Sequence, residues 1–327
     1  MREDIRNKDT GQVIHYVEKL LNKHVGHGSA RKKKWLMLVG LTFISNTWRR
    51  FIMDQGTLHK VQQELLQILK DFDRICYKHH LTYWLDGGTC LGAVRHNGFI
   101  PWDDDVDVGM LRKDYEKFMK IAPSEFGETY FLENWNVESG YGIPFAKMRK
   151  NGTQYVEAGS QNAHCHHGFY LDIFPYDNYP ENEGDLKKVK YTTEWVSRMI
   201  LMKCGYTPWL NGGFSLKRYL LYFPVRFMSL FHNTKKLKHE YDSVAQIANG
   251  SSTGKIYSSA YITGKDCPCR SEVFQSFERH RFEDAEFLIP CRWDEYLTAQ
   301  FGDYMKLPPV EERENRHTII NLDFGEK

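Results

Sequence analysis

The sequence predicts an α+β fold, a mixed β-sheet flanked by helices with an added helical part that is rich in aromatic residues. Three observations support this fold class. Leu58, Val61, Leu65, Leu69 and Phe72 recur at the spacing of an amphipathic helix over residues 57–80. Short apolar or alternating segments, typical of strands, recur between residues 83 and 175. Residues 185–245 then combine a helical pattern with many aromatic side chains.

The composition argues against several classes of protein. A net charge of +2 leaves no excess of cations for the phosphates of a duplex, so no nucleic-acid partner is predicted. The seven cysteines lack the spacing of a zinc site and indicate reduced thiols in the cytoplasm. Residues 1–22 have no apolar centre typical of a secretory signal. Residues 35–45 are apolar between basic flanks but too short to span a bilayer; they are expected either to pack on the domain or to lie at a membrane surface.

Residues 81–110 carry the clearest chemical signal. Residues 83–85 predict a strand, which Gly87 and Gly88 end, and Thr89 is expected to cap a short helix over residues 90–95. Two glycines let the backbone approach a phosphate closely, and the amides at a helix N-terminus favour an anion. A glycine pair is more often a plain turn, so this signal alone is weak.

Four aspartates follow within five residues: Asp103, Asp104, Asp105 and Asp107. Alternate residues of a strand share a face, so Asp105 and Asp107 are expected to point the same way while the valines between and after them face the core. Such runs are usually solvated loops, but the apolar interleaving favours a partly buried site. The pattern predicts a site for Mg²⁺ or Mn²⁺, with Asp103 as a further ligand.

The elements after this segment are expected in the following order. A helix over residues 112–122 ends at Pro123, strands follow at 130–132 and 143–149, and Asn151-Gly152 predicts a hairpin into residues 153–157. The buried-looking strand 168–175 contains a single carboxylate, Asp172. Asp172 is expected either to pair with Lys147 or Arg149 or to join Asp105 and Asp107, since three carboxylates can share two metal ions.

The C-terminal part predicts a helix over residues 293–301 and then a charged segment. Arg313, Arg316 and His317 are candidates for contacts to phosphate oxygens, which Arg side chains bind in pairs. From spacing alone, an exposed charged helix end is the more frequent case for such a segment.

Three blocks, in this order, resemble the LicD family of phosphocholine transferases, which includes the fukutin-type proteins. They are LDGGTCLGAVRHNGFIPWDDDVDVGM at residues 85–110, GFYLDIFPYDNYP at 168–180 and FGDYMKLPPVEERENRH at 301–317. The resemblance covers about residues 57–320 and implies a nucleotidyltransferase-like fold and a phosphotransferase. It implies transfer of a phospho-alcohol, most often phosphocholine from CDP-choline, to a sugar hydroxyl of teichoic acid, lipopolysaccharide or a capsule precursor. In the fukutin branch the donor is CDP-ribitol.

The resemblance also implies roles for individual residues. Asp105 and Asp107 match the metal-binding pair, Asp172 matches a later strand carboxylate that is either a ligand or a proton acceptor, and Gly87, Gly88 and Thr89 match the phosphate turn. Further phosphate contacts are expected from Arg95, His96 and Lys147. If choline is carried, Trp84, Trp102, Trp135 and Tyr141 are available to hold its trimethylammonium group. The cysteines have no counterpart of a family zinc site, so no structural zinc is predicted.

These features divide the chain into four predicted segments. Residues 1–50 form an appendage with the basic and apolar block, 51–180 the catalytic core, 181–250 the helical aromatic-rich insertion, and 251–327 a part that completes the catalytic domain. The segments indicate a cytoplasmic protein with peripheral contact to the inner membrane face, where a lipid-linked glycan is a natural acceptor.

Two other functions remain open at this stage. The first is a glycosyltransferase that uses residues 105–107 as a DxD motif with a sugar nucleotide, although the glycine pair, about 17 residues before Asp105, suits the nucleotidyltransferase arrangement better. The second is a non-catalytic adaptor at a membrane surface with a relic site. Within the family function, CDP-ethanolamine and CDP-ribitol are alternative donors.

Overall fold

The computed structural model describes residues 53–210, 215–251, 253–260 and 268–325. The appendage predicted for residues 1–50 lies outside these ranges. The helices are α1 (Gln55–Lys78), α2 (Gly87–His96), α3 (Arg112–Phe126), α4 (Glu183–Tyr191), α5 (Ser197–Lys203), α6 (Leu216–Ser229), α7 (Thr234–Ala245) and α8 (Trp293–Phe301). The strands are β1 (Trp84–Leu85), β2 (Asp107–Leu111), β3 (Tyr130–Glu133), β4 (Ala146–Lys150), β5 (Gln154–Glu157), β6 (Tyr170–Asn178), β7 (Lys255–Tyr257), β8 (Cys269–Arg270), β9 (Phe277–Phe282), β10 (Ala285–Pro290) and β11 (Ile319–Asp323).

The main sheet has seven strands and mixes both strand directions. Its order is β1-β2-β6-β4-β3, and β7 and then β8 extend it from the far end of β6. The β2–β6 pair is parallel, while β1–β2, β6–β4 and β4–β3 are antiparallel. This mixed sheet with its helices confirms the predicted α+β class. The parallel pair at its centre matters most for function because both strands begin at the predicted site.

The amphipathic helix predicted over residues 57–80 is confirmed as α1. Its buried side chains follow the helical period, and Val61, Ile68 and Phe72 are fully buried against the sheet and its neighbours. Asp54 caps the helix by accepting from the Thr57 amide at 2.9 Å. On the sheet, the ring of Trp84 lies against Gly109, where any Cβ would overlap it. The large ring therefore requires glycine on the neighbouring strand.

The aromatic-rich helical part forms a second hydrophobic core. Trp135 and Tyr141 from the loop after β3 pack there against side chains of α5 and α7, among them Ile200 and Tyr241. The predicted helical character of residues 185–245 is confirmed by α4 to α7. The segment boundaries predicted at residues 180 and 250 stay predictions. Within the described part of the chain, each helix is too short or too polar to cross a membrane.

Two local predictions are wrong. Asn151-Gly152 does form a turn, but β4 and β5 on its two sides do not pair; β5 pairs with the distant β11, and β4 lies between β3 and β6. Pro123 does not end its helix, since α3 continues to Phe126. The buried ring of Phe126 packs on Phe118 and Tyr130 and so holds the last turn in place.

Candidate active site

The central strands bring two of the predicted carboxylates together. Asp107 is the first residue of β2 and lies opposite Asp172 in the parallel register with β6. The Asp172 amide donates to the Val106 carbonyl at 3.0 Å, which locks this register. Val106 and Val108 are fully buried, whereas Asp105 and Asp107 are half-buried, as the predicted alternation requires. Asp172 therefore lies beside Asp107 on β2, as one of the two predicted alternatives requires.

Helix α2 begins beside these carboxylates, three residues earlier than predicted. Its N-cap is Asp86 rather than Thr89, because the Asp86 carboxylate accepts from the Gly87 amide at 3.0 Å and its carbonyl accepts from the Thr89 amide at 3.0 Å. The Thr89 hydroxyl instead accepts from the Asp107 amide at 2.9 Å, which ties α2 to β2. Of the three residues predicted to bind phosphate, Gly88 is the one whose amide no described hydrogen bond uses.

Gly88 also connects the glycine pair to the aspartate run. A Cβ at this position would lie 3.2 Å from Oδ2 of Asp103. The start of α2 and the acidic loop before β2 are therefore in contact, although 14 residues separate them in sequence. The two halves of the predicted site, the phosphate turn and the metal ligands, meet at this point.

The acidic loop is held in place from three sides. Gln62 of α1 donates to the Asp103 carbonyl at 2.9 Å, and the Tyr155 hydroxyl of β5 donates to the Asp104 carbonyl at 3.0 Å. The carboxylate of Asp104 accepts from His317 at 3.0 Å. Burial disfavours the charged imidazole, but the nearby carboxylates of Glu157 and Asp104 raise the pKa of His317 well above its usual value. His317 is therefore a cation that anchors the loop.

The remaining carboxylates crowd one another. Ligand atoms of Asp103, Asp104 and Asp105 lie within 4.8 Å of each other. Burial, and then the charge of Asp105, raise the pKa of Asp103 well above its usual range. Burial, followed by the charges of Asp105 and Asp172, does the same for the pKa of Asp107. Burial also raises the pKa of Asp172 to about 6, although Lys147 opposes that rise.

The charges at this site fit a divalent cation. Of the five carboxylates, Asp104 is paired with His317, and Asp172 accepts from Lys147 at 2.6 Å. The other three have Arg316 as a nearby cation: burial lowers its pKa, but the charges of the aspartates raise it overall. Asp105 also lies 4.0 Å from Nε2 of His317. An excess of buried negative charge is costly unless a counter-ion binds. Asp103, Asp105 and Asp107 supply the hard oxygen ligands that Mg²⁺ prefers.

The predicted phosphate-binding cations separate into two groups. Arg316, His317 and Lys147 face the carboxylates, as described above. Arg95, His96 and Arg313 lie together around Trp102: Arg95 donates to His96 at 3.0 Å, His96 meets the Trp102 ring edge-on at 6.4 Å, and Arg313 lies 5.6 Å above that ring. Burial, then the positive charge of Arg313, lowers the pKa of Arg95. This second group is a cationic cluster, which we call the Trp102 cluster.

Comparison with known proteins now adds to this geometry. Residues 80–204 match the family profile described as LicD/FKTN/FKRP, nucleotidyltransferase domain. Over 268 residues the chain is 30% identical to lipopolysaccharide cholinephosphotransferase LicD of Haemophilus influenzae, an alignment that covers 81% of this chain and 97% of that protein. The chain belongs to the LicD family. The predicted resemblance and its nucleotidyltransferase-type domain are thereby confirmed, as is the prediction of a phosphotransferase.

More distant relatives in the same family match shorter segments. Human ribitol 5-phosphate transferase FKRP is 33% identical over 102 residues, which cover 31% of this chain but 18% of that protein. Human ribitol-5-phosphate transferase FKTN is 35% identical over 68 residues, 14% of its own length. LicD-family membership with named transferases on both branches disfavours the adaptor and DxD glycosyltransferase alternatives.

Several site residues of this LicD-family chain were not predicted from the sequence. Asp86 is fully buried and accepts hydrogen bonds from Tyr176 at 2.8 Å and from Tyr296. Its signal was its place directly before the glycine pair. On β5, Tyr155 donates to Asp104 and Glu157 lies near His317, because of a strand pairing that local patterns do not reveal.

The aromatic candidates for a choline box do not converge. Trp84 is fully buried between Tyr176 and Phe274, so its ring is unavailable to a ligand. Trp135 and Tyr141 belong to the second hydrophobic core. Trp102, in its cluster with Arg313, is the one that is partly exposed and adjoins the main core.

Proposed function

We propose that the chain transfers a phospho-alcohol from a CDP-activated donor to a sugar hydroxyl of a cell-surface glycan, in a metal-dependent reaction. One observation carries the proposal: Gly88 at the start of α2 touches Asp103, beside carboxylates that the β2–β6 register pairs. An anion-binding helix terminus next to an excess of buried carboxylates suits a diphosphate held with a divalent cation.

In this proposal Asp103, Asp105 and Asp107 would hold Mg²⁺ or Mn²⁺. When bound, the cation supplies charge neutralisation for the diphosphate and for the leaving CMP. The raised pKa values of Asp103 and Asp107 support this assignment, since both carboxylates are poorly compensated by the protein itself. Asp172 is a less suitable ligand because its Oδ1 already accepts from Lys147 at 2.6 Å.

Asp172 instead takes the role of general base. One of its oxygens is fixed by Lys147, which leaves the second to accept the proton of the acceptor hydroxyl. The acceptor oxygen then forms a bond to the phosphorus that carries the alcohol, the bond from that phosphorus to the CMP oxygen breaks, and CMP leaves. A pKa of about 6 keeps Asp172 mostly ionised at neutral pH while making it a better base than a free aspartate.

The donor's phosphates have two sources of contact. The amide of Gly88 lies at the helix terminus, and Arg316 is drawn to the same carboxylates that would hold the cation. The Trp102 cluster adds Arg95 and Arg313, whose mutual repulsion an anion between them would relieve. His317 and Lys147 act indirectly, by fixing Asp104 and Asp172.

Phosphocholine is the proposed group. The lipopolysaccharide cholinephosphotransferase is matched over 97% of its length, whereas the human ribitol phosphate transferases are matched over 18% and 14% of theirs. A lipopolysaccharide-type glycan is accordingly the proposed acceptor class, with a lipid-linked precursor at the cytoplasmic face of the membrane as its form.

The test measures CMP release from CDP-choline, CDP-ethanolamine and CDP-ribitol, and nucleotide release from sugar nucleotides, each with Mg²⁺ and with EDTA. The proposal expects metal-dependent turnover that is fastest with CDP-choline and lost in Asp105→Asn. The control is Asp303→Asn, an exposed aspartate outside the site. Turnover of sugar nucleotides alone would contradict the proposal, and preference for CDP-ribitol would change the product while keeping the mechanism.

A further inference from the structure

Helix α6 carries an exposed apolar stripe that the proposed reaction does not use. Its members are Leu216, Leu220, Phe223, Phe227, Leu230 and Phe231, where the last two directly follow the helix. Their exposed fractions run from 60% for Leu216 and Phe227 to 74% for Phe231. The spacing of four, three, four and three residues places them along one side, an arc of roughly 120°.

The stripe lies opposite the side by which α6 packs on the protein. Val225 and Ser229 are buried, and Lys203 of α5 donates to the Ser229 carbonyl at 3.1 Å. A helix on the surface of a globular protein normally presents charged and polar residues on the side away from its core. Here that outer side is continuous leucine and phenylalanine. Exposed apolar surface of this extent indicates a binding face.

The charge around the stripe identifies the kind of partner. Between Glu194 and Glu240 the chain has no Asp or Glu but eight Lys or Arg residues. Lys238 is buried, and the seven with exposed or half-buried side chains are Arg198, Lys203, Lys217, Arg218, Arg226, Lys235 and Lys236. Lys217 and Arg226 flank the stripe on its two sides, as the helical period requires. A helix with an apolar, Phe- and Leu-rich side bordered by cations is typical of a segment that lies in the interface of an anionic bilayer.

We infer that α6 is a membrane-docking helix, whose stripe enters the interface of an anionic lipid bilayer in the plane of its surface. The lack of carboxylates favours anionic headgroups over another protein copy, because a self-complementary contact would bring this cationic surface against itself. The inference does not depend on the identity of the donor. It assigns membrane contact to a part of the chain distinct from the basic and apolar block at residues 31–50.

Flotation of the full-length protein with vesicles tests the inference. Vesicles of phosphatidylcholine with phosphatidylglycerol should carry the wild type, with weaker binding to pure phosphatidylcholine and at high salt. The double substitution Phe223→Ser with Phe227→Ser should weaken binding at least about tenfold, because two large apolar side chains no longer enter the interface. Phe223→Leu with Phe227→Leu should retain binding.

The control is Tyr77→Ser, which removes another exposed aromatic side chain, on α1, with 78% of its surface exposed. It should leave flotation unchanged. Thermal unfolding and CMP release from a soluble donor should be unaltered in the serine double variant, since both phenylalanines are exposed and lie outside the site. Wild-type binding by that variant would overturn the inference, as would a wild-type dimer that the two substitutions dissociate while neither protein binds vesicles.

Discussion

The Lys147–Asp172 pair offers a quantitative prediction about the site. Lys147 Nζ lies 2.6 Å from Asp172 Oδ1, and 4% of the Lys147 side chain is exposed. Burial raises the pKa of Asp172 from 3.8 to about 6, so the folded protein binds more protons than the unfolded chain between these values. Ionisation of Asp172 therefore lowers the free energy of unfolding as the pH rises through this window, by at most about 3 kcal/mol.

Lys147→Met removes the cation that limits the free-energy cost of ionising the buried Asp172. The pKa of Asp172 should rise further, and each tenfold gain in its proton affinity costs about 1.4 kcal/mol at pH 8, where the group must ionise. At pH 5 the carboxyl stays protonated in the variant and most of that cost is absent. We expect a destabilisation of about 3 kcal/mol at pH 8 and about 1 kcal/mol at pH 5.

Urea unfolding at both pH values in EDTA measures the effect. The matched control is Lys187→Met, which breaks an exposed pair of similar length with Glu183, 2.7 Å, and should change stability by less than about 0.5 kcal/mol. Adding Asp172→Asn to Lys147→Met should recover most of the loss at pH 8, because no buried charge is then left unpaired. Equal destabilisation at pH 5 and pH 8 would refute the reasoning.

Three further predictions concern the proposed metal site. Asp107→Asn should lower the rate of transfer by at least about a thousandfold. It should nevertheless raise the thermal midpoint in EDTA, because burial makes the ionised Asp107 carboxylate costly and the substitution removes it. Asp303→Asn, at an exposed position, should change neither quantity. Calorimetry should show that Mg²⁺ raises the thermal midpoint more at pH 7.5 than at pH 5.5, because protons compete with the cation for Asp103 and Asp107, whose pKa values are raised. An equal rise at the two pH values would count against these two residues as metal ligands. Gly88→Ala should weaken Mg²⁺ and donor binding several-fold, since its Cβ would lie 3.2 Å from Asp103 Oδ2. The control is Gly184→Ala, where the atom nearest to the added Cβ is 3.5 Å away. Equal binding by the two variants would exclude a contact role for Gly88.

The parts of the site that follow local rules were predictable from sequence. Alternation along a strand placed Asp105 and Asp107 half-buried between buried valines, and a short helix was expected directly after the glycine pair. The partner of Asp107 was predicted only as one of two alternatives. In the structure Asp172 lies opposite Asp107 on one strand and pairs with Lys147 on the other, and its role as a metal ligand stays a prediction.

Long-range pairing accounts for most of the failures. The strand β5 pairs with β11, more than 160 residues later, and no local pattern in residues 153–157 indicates this partner. That pairing lies beside the contact of Tyr155 and His317 with Asp104. The N-cap was misplaced because Thr89 is a common capping residue, whereas the helix starts at a glycine with a positive φ that follows Asp86.

The proposed reaction requires a divalent cation on the aspartate loop and β2 to hold the CDP-alcohol for transfer. Isothermal titration of the full-length protein with CDP-choline, in Mg²⁺ and then in EDTA, tests it most directly. We expect binding in Mg²⁺ that is lost in EDTA and in Asp105→Asn, and weaker binding of CDP-ribitol and CDP-ethanolamine. Binding of CDP-choline with equal affinity in EDTA, or failure of every CDP-alcohol to bind in Mg²⁺, would contradict it.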